Sequence, residues 1–90
     1  MKLRDLLGKR VELLQDECWA GVPRGNFILA GAKGTVELAE MPGQSAPLVH
    51  IHFDRIKPRE GFYFGIGTPD WEFSDARRGL LRIIEEEKER

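Results

Sequence analysis

The chain has a single cysteine, Cys18, so no internal disulfide can form and a reducing compartment is expected. It lacks a dominant charge: 14 basic against 15 acidic side chains leave a net charge of −1. That balance argues against the broad basic surface of a typical nucleic-acid binder and against an acidic decoy. No apolar run approaches the ~18 residues that a membrane span needs. Met1 to Leu7 alternates charge with leucine, unlike a signal peptide, so the expectation is a cytoplasmic protein with no membrane partner. Amides are scarce too, with Asn26, Gln15 and Gln44 the only three. Few amides among many Arg, Lys and Glu is the balance of a heat-adapted protein, although GC-rich coding bias produces the same pattern. Repeats and low-complexity stretches are absent.

What is present is enough for one domain spanning residues 1–90. A chain this short buries about 60–65% of its unfolded surface, which leaves no room for a deep cleft between domains. The charges are patchy. Residues 35–54 carry Glu37, Glu40 and Asp54 without Lys or Arg, whereas 55–60 carries Arg55, Lys57 and Arg59.

Leu3, Leu6 and Leu7 stand at helical spacing and predict an amino-terminal turn ended by Gly8. Val11 and Leu13 alternate with polar residues, so a first strand is expected over about 9–14. Gln15 to Asn26 holds Gly21, Pro23 and Gly25 and reads as a long surface connection. Phe27 to Leu29 either ends that loop or forms a short strand. Gly31 and Gly34 bracket an expected tight turn before a strand at Thr35 to Ala39, and Met41 to Pro47 reads as a hairpin loop. Leu48 to Asp54 is the clearest strand, with Val49, Ile51 and Phe53 on one face and His50 and His52 on the other. Phe62 to Ile66 predicts an aromatic strand with Phe62 and Phe64 inward, and Trp71 to Phe73 a short closing strand. Leu80, Leu81, Ile83 and Ile84 predict the apolar stripe of a helix over 75–88, weakened by Gly79 at ~1 kcal/mol relative to alanine. That stripe would seat on the barrel or face a partner helix.

These residues predict a mainly β fold of five short strands over 8–73, with a short helical turn before them and a helix after them. Gly8, Val11, Gly31, Gly34, Val36, Ile51, Phe53 and Asp54 resemble the "G-x-x-V…G-x-x-G-x-V…V-x-F-D" pattern of SH3-like small barrels, including KOW-type modules. The resemblance implies the barrel fold and little about function, because glycine at a tight turn answers to backbone geometry. The eukaryotic SH3 peptide groove uses an Ala-Leu-Tyr-Asp-Tyr segment where this chain has Gln15-Asp16-Glu17-Cys18-Trp19, which argues against polyproline recognition. RNA-binding KOW modules surround the glycine loop with basic residues, whereas Lys33 here stands beside Glu37 and Glu40.

Chemistry-bearing candidates are few. His50 and His52, two apart on a strand, project imidazoles about 6–7 Å apart from one face and could share a metal if a third ligand came from Cys18, Glu37 or Asp54. The simpler expectation is a solvated face. A Cys18 nucleophile is disfavoured by the adjacent Asp16 and Glu17, and a buried or half-buried structural thiol is expected. Gly31-Ala32-Lys33-Gly34-Thr35 has its lysine before the glycine and a strand after it, so it is not a phosphate loop. Trp19 and Trp71 either plug the two ends of the barrel or join Arg24 and Tyr63 in a protein-binding patch, since exposed Trp, Tyr and Arg dominate interaction hot spots. The expected function is therefore a non-enzymatic, cofactor-free interaction module of a prokaryotic or phage assembly. One alternative is nucleic-acid binding through Lys33, Arg55, Lys57 and Arg59, with Tyr63 or His50 stacking on bases. The other is metal binding by His50 and His52.

Overall fold

The structure, a computed structural model, describes residues 1–19, 22, 27–40, 42–73 and 80–84. The fold is mainly β. A 3-10 turn at Leu3–Leu6 precedes strands β1 (Arg10–Leu13), β2 (Glu17–Cys18), β3 (Phe27–Ile28), β4 (Lys33–Ala39), β5 (Leu48–Phe53), β6 (Gly65–Gly67) and β7 (Leu81–Ile84). Five strands form one curled antiparallel sheet in the order β6-β5-β4-β1-β7, and β2 pairs with β3 in a separate hairpin. Among the described residues no ladder joins the edge strands β6 and β7, so the expected closed barrel is seen as a curled sheet. No helix among the described residues is long and apolar enough to cross a membrane.

Local chemistry accounts for the elements. Leu3 and Leu6 are both fully buried, as the three-residue period of a 3-10 turn requires, while Leu7 rotates out to solvent. The Asp5 side chain accepts the Lys2 backbone N–H at 3.0 Å and caps the turn. Alternation in β1 buries Val11 and Leu13. In β5 it buries Val49, Ile51 and Phe53, all against a core completed by Ile28, Val36, Ile66 and Phe73. Each of these aliphatic side chains gains about 1.5–3 kcal/mol from leaving water.

Four expectations need correction. The carboxy-terminal apolar run is not helical over 81–84: it is β7, antiparallel to β1 with Leu13 opposite Leu81 and Arg10 opposite Ile84. Four apolar-rich residues satisfy either period, and the open edge of β1 together with the β-branched Ile83 and Ile84 favours the strand. An ion pair between Arg82 and Glu12 crosses this ladder. The rest of the expected helix, 75–79 and 85–88, lies outside the described residues. The aromatic strand shrinks to Gly65–Gly67, and its register against β5 shifts between Val49 and His50. Phe62 and Phe64 consequently do not share a face: Phe64 is buried and Phe62 is 43% exposed. The closing strand at Trp71 to Phe73 is reduced to a bridge between Glu72 and Lys2. There the Phe73 N–H donates to the Met1 carbonyl at 2.8 Å, clasping the amino terminus. Finally, Gly34 lies inside β4 and not in the turn. Gly31 supplies the turn with φ 95°, whereas Gly34 permits close strand approach, since a Cβ there would stand 2.6 Å from the His52 carbonyl oxygen.

Candidate functional site

The β5 ladder and the segment that returns along it create the main surface feature. That segment runs from Arg55 to Phe64 and is held by Asp54 N–H to the Lys33 carbonyl (3.0 Å) and Ile51 N–H to the Phe64 carbonyl (3.1 Å). Between the segment and β5 lies a groove of about 100 Å³ walled by Trp19, Pro58, Phe62 and Tyr63, with Ile51, Phe53 and Phe64 beneath and His50 and His52 along it. Its rings are packed edge to face. Trp19 meets Phe64 at 5.6 Å between centroids, and Phe64 meets Phe53 at 5.2 Å. Trp19 thus packs on the core through Phe64 and also lines the groove.

His50 departs from the solvated face expected of it. Only 8% of it is exposed, because Tyr63 folds across it with its ring edge-on at 5.1 Å. Its Nε2 stands 3.6 Å from Glu37 Oε1 on the neighbouring strand, where Glu37 and His50 are register partners. Burial depresses the imidazole pKa below its ordinary value, the nearby Glu37 carboxylate opposes that shift, and His52 adds to it. His52 is exposed.

A second cavity of about 330 Å³ adjoins the groove. Gly31, Ala32, Lys33, Phe53, Asp54, Arg55 and Ile56 line it, and Phe53 and Ile56 also line the groove. Asp54 is engaged by Arg10, whose guanidinium donates to both carboxylate oxygens at 2.7 and 2.5 Å and to Thr35 Oγ1 at 3.0 Å. The hydrogen bonds from Arg10 hold the Asp54 carboxyl below the usual carboxylate range.

The sequence candidates therefore separate. Trp19 and Tyr63 meet in the groove, and Lys33 and Arg55 meet in the adjoining cavity. Lys57 and Arg59 are exposed on either side of the groove residue Pro58 and line neither cavity. Trp71 belongs elsewhere: its ring lies against Gly67, and its backbone carbonyl accepts the Leu3 N–H at the amino-terminal clasp. Arg24 lies outside the described residues. Cys18 is exposed on the hairpin opposite Phe27, not half-buried, because two-residue strands at an edge cover only one face. Among the described residues no three His, Cys, Asp or Glu side chains are grouped to hold a metal ion. Pro58 and Ile56 had no signal in the sequence, since loop residues carry no periodicity, and Phe62 was expected to face inward. No family model matches the chain, and neither does any curated protein or solved structure.

Proposed function

We propose that this chain is a small SH3-like β domain that acts without catalysis by docking a segment of another protein in the groove between Trp19 and Tyr63. The observation that carries this reading is the groove itself: two amphipathic aromatic walls braced from below by edge-to-face contacts, with Pro58 and Phe62 completing the sides. Rigid aromatic walls lose little conformational entropy on binding, which is why such residues concentrate affinity. The non-enzymatic reading rests on engagement of the local titratable groups, His50 by Glu37 and Tyr63 and Asp54 by Arg10. The SH3-like reading draws on the curled antiparallel sheet of short strands and the long connection from β1 to β3.

Selection of peptides displayed on phage tests the proposal. Tyr63→Ala removes an exposed wall and is expected to weaken the selected peptides about tenfold or more while thermal unfolding stays near wild type. Trp71→Ala, at the clasp, is expected to leave peptide affinity unchanged. Equal binding by wild type and Tyr63→Ala places the docking site elsewhere.

A further inference from the structure

Beyond the groove, the charge of the adjoining cavity identifies what kind of segment would dock. We infer that the partner segment is acidic: an extended peptide that seats an apolar side chain between Trp19 and Tyr63 and lays carboxylates over Lys33 and Arg55. This rests on the docking reading above and deepens it. Phe53 and Ile56 line both cavities, so the apolar groove and the cationic cavity are immediate neighbours on the surface. Lys33 and Arg55 are exposed, and among the described residues neither makes an ion pair. The cavity's own carboxylate, Asp54, acts on Arg55 but offsets the pair only in part, because Arg10 also takes both of its oxygens. With Arg10 balancing Asp54, Lys33 and Arg55 leave the cavity net positive on a chain whose net charge is −1.

Carboxylates fit this arrangement. A guanidinium fork takes a carboxylate through two parallel hydrogen bonds, and a lysine beside it takes a second as a point charge. A polynucleotide fits less well, since its affinity depends on neutralising many phosphates and only two cations, Lys33 and Arg55, line the cavity.

Fluorescence anisotropy with labelled synthetic peptides tests the inference. One series carries a leucine or tryptophan anchor followed at varied spacing by paired Asp and Glu, and a matched series carries Asn and Gln instead. The expected result is about tenfold tighter binding of an acidic peptide than of its amide twin, with the advantage shrinking in high salt. Lys33→Glu combined with Arg55→Glu should abolish that advantage without lowering the melting temperature, whereas Tyr63→Ala should weaken both series alike. Equal affinity for the two series, still sensitive to Tyr63→Ala, overturns the acidic assignment and leaves the docking reading standing. Absence of any Tyr63-dependent peptide binding overturns the docking reading itself. Tighter binding of a labelled single-stranded oligonucleotide than of every peptide, lost on reversing Lys33 and Arg55, reassigns the cavity to nucleic acid and also overturns the inference.

Discussion

Trp19 and Trp71 are the chain's only two tryptophans, one expected on a long connection and the other on a short closing strand. The fold gives them opposite work. Trp71 is 53% exposed, yet its ring lies against Gly67 and its backbone carbonyl accepts the Leu3 N–H at 2.8 Å, so it belongs to the clasp that fastens the amino terminus. Trp19 directly follows β2, meets Phe64 edge to face and lines the wall of a groove. A large aromatic ring on a small domain can thus spend its surface on closure or on an opening, and its neighbours decide which. At the clasp the neighbours are aliphatic and a glycine. At the groove they are other rings, a proline and two histidines.

The comparison predicts that damage at the clasp appears as lost stability and damage at the groove as lost binding. The largest effect is expected at Leu6, which is fully buried where the amino-terminal turn meets the core. Leu6→Ala should cost about 2–5 kcal/mol in chemical denaturation, while peptide affinity of the remaining folded fraction stays at the wild-type value. A smaller effect is expected at Gly67. Its φ of 139° is one that L side chains rarely adopt, and an added Cβ would stand 2.6 Å from Trp71 Cε3 and 2.9 Å from Leu3 Cδ1. Gly67→Ala should cost about 1–3 kcal/mol. Because the Trp71 ring is one source of that strain, Gly67→Ala with Trp71→Ala should lose less than the two single losses added together. Strict additivity would show that Trp71 does not press on Gly67, and the contrast between the two tryptophans would fail.

The sheet was largely legible in the sequence, and the groove was only half so. Alternation placed Val49, Ile51 and Phe53 in the core and put β1 and β4 close to their observed limits, since a half-buried strand must repeat every two residues. The residues of β7 were misread because Leu81-Arg82-Ile83-Ile84 is too short to reveal its period, and only the vacant edge of β1 decides in favour of a strand. His50 was misplaced for a different reason. Its alternation points it away from the core, correctly, but Tyr63 returns from a distant loop to cover it, and no local pattern encodes that return. Trp19 and Tyr63 were singled out by residue type and expected exposure, and both line the groove. Pro58 and Ile56 were missed because their contribution depends on how the Arg55 to Phe64 segment lies along β5.

The smallest expected effect is the most specific to the groove side. The clasp's charged contacts, Arg4 with Asp70 at 2.9 Å and the Met1 amino group with Glu72 at 3.5 Å, are exposed. The groove wall instead contains His50, whose imidazole is held below its ordinary value near 6.5 mainly by burial. Its unfolded form binds a proton more readily than its folded form. Stability is therefore complete above the unfolded value and declines as pH falls from there toward the lower folded one. Asp54 does not confuse this window, because its carboxyl is already displaced below the usual range of about 3.9. The melting temperature should thus drop modestly between about pH 7 and pH 5, and His50→Gln should remove much of that drop. Arg4→Ala at the clasp should lower the melting temperature slightly and equally at both pH values, as an exposed ion pair is worth about 0.2–1 kcal/mol. An undiminished pH slope in His50→Gln would mean that Tyr63 does not keep His50 out of solvent. The groove would then lose the ring that sets it apart from the clasp.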